Sequence, residues 1–360
     1  MDGILNTTLI KTEKPKFWEK DELACLTLIS GLLLGYFLIA LLFSALIPDN
    51  SMSTFATINV YIKKASVNCQ PALMLIIIFA IIAQMRKSGN TSFFLSVANS
   101  VRNTPEHIVK FFALAAFSVF SFGVFVFSYS TIKTRIPDMV PYVWDEAFMK
   151  MDRFLFFGND PWTLFSWIYK YPDFIHFIDR TYDVWAALFI GIWAFSFLAK
   201  SVPATTRFRI PLTLILTWFI GGNIIATLLS SAGPCYYGFL STGPNPYLAQ
   251  LAIMADLNEI RPLSAVTYQE LLWSVYQSPS VGFGGISAMP SMHCATSFLF
   301  VLMSWKHKFL RPLAIAFFGF IFISSIMLAW HYAVDGILAV PITLFSWWLA
   351  GKMLTFKKVG

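Results

Sequence analysis

Apolar residues run in long blocks along this chain, and short polar stretches separate them. The blocks fall at 23–47, 66–85, 110–129, 183–199, 210–230, 291–305, 312–328 and 332–351. About 20 apolar residues make a helix long enough to cross a bilayer. The pattern therefore predicts an all-α, polytopic transmembrane helical bundle of about eight spans. The block at 66–85 is interrupted by Pro71 and follows polar residues. The block at 23–47 exceeds the apolar core of a signal peptide, and no Ala-x-Ala site follows it, so it is expected to be retained. Three units are expected: an N-terminal segment, 1–109, with two additional spans; a membrane domain, 110–351; and a cytoplasmic tail, 352–360.

Composition agrees with the pattern. The 360 residues are 57% hydrophobic and 12% charged, against about 25% charged in a soluble domain. The formal net charge of +7 does not point to nucleic acid here, because basic residues of membrane proteins collect in cytoplasmic loops. With the N-terminus inside, most of the 26 lysines and arginines fall in inner segments, which gives an N-in, C-in topology. The four cysteines (Cys25, Cys69, Cys235 and Cys294) have no metal-type spacing. Two outer loops are long. In 130–182, "WDEAFMKMDRFLF" carries apolar residues at helical spacing and predicts an amphipathic helix lying at the membrane surface. The loop at 231–290, from "SAGPCYYGF" to "GFGGISAMP", is rich in Gly, Pro, Ser and Tyr, a composition suited to function.

That topology brings two histidines to one membrane level. His293 opens the sixth span at its outer end, and His331 stands at the outer start of the eighth. Asp335 follows His331 by four residues, on the same helix face. A carboxylate there accepts Nδ1–H of His331 and leaves Nε2 as a nucleophile. A carboxylate inside a span marks a function or a partner. Zinc is the chemical alternative for two histidines and a carboxylate, with His176 as a candidate further ligand, but no other His or Cys on that face clearly completes a shell. No metal and no cofactor is assigned.

The two motifs resemble the type 2 phosphatidic acid phosphatase superfamily. Its Pro-Ser-Gly-His motif is matched by Pro290, Ser291 and His293, with Met292 in place of Gly. Its Ser-Arg-x5-His-x3-Asp motif is matched by Ser324, His331 and Asp335, with Ser325 in place of Arg. The upstream Lys-x6-Arg-Pro motif is not reproduced, and Lys133, Arg135 and Pro137 of "KTRIP" occupy that region. These departures are similar to the branch containing fungal inositol phosphorylceramide synthase and its bacterial relatives, which "WDEAFMKMDRFLFFGNDPW" also resembles. The resemblance covers roughly residues 120–350 and implies a six-helix phosphatase-type core.

The resemblance implies phosphoric ester chemistry without a metal. His331 is expected to attack phosphorus, Asp335 to orient it, and His293 to exchange the proton with the leaving and entering oxygens. Lys133, Arg135 and Ser291 are expected to bind phosphate, and Arg180, with Arg153 behind it, to replace the arginine missing at Ser325. Tyr236 and Tyr237 are candidates for a substrate pocket or for an interfacial aromatic belt. The expected partners are a membrane lipid phosphate donor and an alcohol acceptor or water, with no nucleic acid; no oligomeric state follows. The expected setting is a bacterial inner membrane with the site on its outer side. Transfer of a phosphoryl or phospho-headgroup moiety is the leading expectation, and hydrolysis of a lipid phosphate is its alternative. A proton-coupled transporter ranks below both, because it calls for ionisable groups at the bilayer midplane.

Overall fold

The computed structural model describes residues 18–47, 105–200, 202–241, 243–277 and 285–355. The span expected at 66–85, and with it most of the expected N-terminal segment, lies outside them. In chain order the helices are α1 (Lys20–Leu46), α2 (Pro105–Lys133), α3 (Asp145–Leu155), α4 (Pro172–Leu198), α5 (Ala204–Leu228), α6 (Leu248–Ile260), α7 (Ser264–Gln277), α8 (Met292–Ser304), α9 (Leu310–Met327) and α10 (Ala333–Thr355). Among the described residues there is no strand. Six helices among the described residues, α1, α2, α4, α5, α9 and α10, are long and apolar enough to cross a membrane. The chain is thus a polytopic helical membrane protein.

The span expected at 291–305 is the exception. α8 has only 13 residues and rises about 20 Å, against about 30 Å of hydrocarbon. It starts where Ser291 caps it, directly after Pro290, and the chain leading into it is irregular rather than helical.

Charged and polar side chains set how the spans align. Glu22 near the start of α1 pairs with Lys110 in α2 and with Arg207 in α5. At the other end, Arg135 donates to the Ile47 carbonyl (3.0 Å) and to Ser44 Oγ (3.1 Å), tying the end of α1 to the end of α2. α1, α2 and α5 therefore run in one direction. α1 packs Cys25, Ile29, Leu33, Tyr36 and Ala40 inward and leaves Leu34, Leu38, Leu42 and Leu46 exposed along a stripe four residues apart.

An aromatic column fills the centre. Tyr182, Trp185, Phe189, Trp193 and Phe197 share one face of α4 by their three- and four-residue spacing. Phe125 of α2 stacks on Trp193 at 5.1 Å, and Trp218 of α5 stacks on Phe189 at 4.9 Å. Midway along α5, a wider π-helical turn at Ile220–Ile225 brings Gly221, Gly222 and Asn223 inward. Tyr36 donates to Asn223 Oδ1, and Asn223 Nδ2 donates to the Tyr129 carbonyl (3.2 Å).

Candidate active site

His331 lies on the turn between α9 and α10. α9 ends because Ala329 adopts a left-handed conformation (φ 56°), after which Trp330 N and His331 N both return to the Ser325 carbonyl (2.9 and 3.2 Å). His331 Nδ1 then sits 3.1 Å from Asp335 Oδ2, and that same oxygen accepts Tyr332 N–H at 3.1 Å. Asp335 is wholly buried. Burial, with the Lys133 ammonium adding to it, pushes His331 down to about 3, against the pull of the Ala288 carbonyl. The imidazole is thus neutral at physiological pH, the state a nucleophile needs.

His293 occupies the first turn of α8. Its ring centroid is 6.1 Å from that of His331. Trp185 (4.2 Å) and Tyr182 (4.9 Å) of α4 pack against it and hold its plane. Ser291 joins the two motifs. Its N–H donates to the Asp335 carbonyl (3.1 Å), and its Oγ accepts Cys294 N–H (3.3 Å). The structure therefore brings His293, Ser291, His331 and Asp335 into one cluster. Lys133, half-buried at the end of α2 with its Nζ 5.8 Å from the Tyr129 ring centre, is close enough to act on His331.

The other expected phosphate ligands are engaged elsewhere. Arg135 is buried and donates to Ile47, Thr131 (2.8 Å), Thr134 and Ser44, so its guanidinium ties α1 to α2. Arg180 is exposed on α4 and meets Ser264 Oγ at 3.4 Å. Arg153 makes a bidentate pair with Asp160 (2.7 and 3.0 Å). Ser325, at the position of the missing arginine, is buried and donates to the Phe322 carbonyl (2.8 Å). Tyr236 and Tyr237 are buried as well: Tyr236 donates to the Gln269 carbonyl (3.0 Å) and stacks on Trp273, and Tyr237 packs edge-on against Tyr247. His176 is buried in α4 among Asp173, Asp179, Arg180 and Arg261. Among the described residues no three His, Cys, Asp or Glu side chains come together as a metal centre needs.

Sequence reasoning missed the polar frame around this cluster. Asp145 and Asp152 lie seven residues apart, two turns along one face of α3, and both are buried. Asp145 accepts Ala232 N–H (2.9 Å), Gly233 N–H (2.8 Å) and the Tyr332 hydroxyl (2.8 Å). Asp152 accepts Ala333 N–H (2.8 Å) and Val334 N–H (2.9 Å), the first amides of α10. Two glutamines treat the carbonyl end of α9 likewise: Gln250 Nε2 donates to Ile326 (2.8 Å) and Met327 (3.0 Å), and Gln269 Nε2 to Leu328 (2.8 Å). The seven-residue spacing of Asp145 and Asp152 was the one signal in the sequence.

Two histidines and a buried carboxylate thus meet at one end of the helical bundle. A family model described as the PAP2 superfamily matches residues 146–349, more than half of the chain, and the chain belongs to that superfamily. Its general chemistry is that of a phosphatase or phosphotransferase. No curated protein and no solved structure matches the chain.

Proposed function

We propose that this protein transfers a phosphoryl or phospho-headgroup moiety from a membrane lipid to an alcohol acceptor through a phosphohistidine at His331. The observation that carries the reading is the Nδ1–Asp335 pairing of a neutral His331, with His293 beside it. His331 Nε2 attacks phosphorus and the bond from phosphorus to the leaving oxygen breaks. His293 gives a proton to that oxygen: burial, His331 and Lys133 favour its neutral form, and the negative charge of the bound phosphate favours its protonation. Asp335 stabilises the charge that develops on His331. His293 then removes the proton from the acceptor hydroxyl, whose oxygen displaces His331 from phosphorus. Lys133 and the amides opening α8 hold the phosphoryl oxygens. No step calls for a metal.

Two features favour an alcohol over water. Ser291, His331 and Asp335 are all buried, which restricts water at the reacting atoms. Ser325 for arginine and the absent Lys-x6-Arg-Pro motif resemble the inositol phosphorylceramide synthase branch, whose members transfer. The distribution of lysine and arginine supports a site on the outer side of the membrane.

The test uses purified protein with labelled phosphatidic acid and, separately, phosphatidylinositol. An acid-labile, base-stable phosphoryl adduct should form and should be absent in His331→Ala. Inositol, ceramide, diacylglycerol and glycans are then offered as acceptors. Diversion of label to one of them establishes transfer, and release of phosphate alone establishes hydrolysis. Full activity in His331→Ala sinks both.

A further inference from the structure

We infer that Asp152 is a positioning residue for the nucleophile: its carboxylate takes the free amides that open α10 and so keeps Asp335 for His331. This rests on the reading of His331 given above. The first amides of any helix have no partner within it. The residue before the helix usually supplies one, through a short oxygen-bearing side chain. Here that residue is Tyr332, whose hydroxyl reaches away to Asp145. Asp335 sits at the third position of α10, where an acid reaches back to the amide of the residue before the helix. It does so, because Oδ2 accepts Tyr332 N–H while also meeting His331 Nδ1.

Ala333 and Val334 leave two more amides beside that carboxylate. Asp152 takes both, from 181 and 182 positions away in sequence. Asp335 Oδ1 is buried and accepts no hydrogen bond among the described residues. Without Asp152 the Ala333 and Val334 amides are left to compete for that oxygen, and turning the carboxylate toward them pulls Oδ2 away from His331, releases the imidazole tautomer and moves Nε2. Loss of buried partners is costly, so the rearrangement is favoured.

Burial pushes Asp152 up to about 7, against the pull of its two amides. The groups facing it are Asp335 on α10, Asp160 beyond α3, held by Arg153, and Tyr247 ahead of α6. Only the ionised form offers both oxygens as acceptors. The clamp therefore weakens as pH falls through about 7.

The experiment uses the full chain in lipid nanodiscs with labelled phosphatidic acid, following turnover from pH 5 to 9. Asp152→Asn keeps the shape and one acceptor, so it stands in where Asp152→Ala does not fold. It should elute as the native protein does, lose on the order of 10²-fold in kcat and change KM little, as expected for misplacement of a reacting group. Asp152→Glu should recover part of the loss. The acid limb near pH 7 should disappear in Asp152→Asn. An unchanged kcat, or an acid limb left where the native enzyme has it, overturns the inference. If His331→Ala still turns over, the nucleophile reading has failed instead, whatever Asp152 does.

Discussion

Met292 stands where the family pattern has glycine, and the room for it comes from another helix. A Cβ on Gly221 would lie 3.0 Å from Met292 Cε, and one on Gly222 would lie 3.1 Å from Met292 Sδ and 2.6 Å from the Tyr129 ring. The two glycines of the α5 π-turn thus make space for the thioether and for Tyr129 together. Gly222→Ala should destabilise the protein by about 1–3 kcal/mol, because a rigid ring has to move; a thermal melt in detergent that matches the native protein would refute this. At this scale the sequence was informative wherever chemistry is local. His331 and Asp335 are one helical turn apart, and "PSMH" is contiguous, so both could be read along the chain. The fit of Met292 to Gly221 and Gly222 could not, since some seventy residues separate them and neither motif marks the other.

Helix α3 looks in the sequence like a surface helix with acids on its wet side. In the structure part of that polarity is reversed: Asp145 and Asp152 face inward, while Met151, Phe154 and Leu155 are exposed. A buried carboxylate is tolerated because it accepts amides that would otherwise be orphaned. This has a thermodynamic cost. A carboxyl held near 7 when folded and near 3.9 when unfolded makes the folded state bind more protons between those values. Its contribution to stability therefore falls as pH rises from about 4 to 7, over the range in which the clamp strengthens. The same element-level view separates the two basic residues of "KTRIP". Lys133→Ala should weaken donor binding, read as a raised KM, with the melting temperature nearly unchanged. Arg135→Ala should lower the melting temperature, since it removes bonds to Ile47, Ser44 and Thr131. The opposite pattern would reassign them. Spacing placed both residues near the site, but which of them turns toward α1 depends on a partner almost ninety positions away.

Across the whole molecule, the histidines mark one end of the bundle and the Glu22, Lys110 and Arg207 cluster marks the other. Phe157, beyond α3, and Phe309, ahead of α9, are both strongly exposed and lie toward opposite ends. In intact cells, with Cys69 replaced by serine, a membrane-impermeant thiol reagent should label Phe157→Cys from outside and Phe309→Cys only after lysis. The reverse labelling would put the site on the cytoplasmic side. The placement of the six spanning helices among the described residues was legible because hydrocarbon imposes a length on each of them. α8 was legible as a helix at 291–305 as well, and the difference lies in its 13 residues, which fall short of a full span. The reach of Asp152 to Ala333 also bears on how the protein is made. While ribosomes are still translating the chain, α3 has left the exit tunnel long before α10 exists. During that interval Asp152 lacks the Ala333 and Val334 amides that it accepts in the folded chain. The turn that carries His331 can thus be completed only after the last helix has been inserted, and a nascent chain that stalls short of it lacks the His331–Asp335 pair.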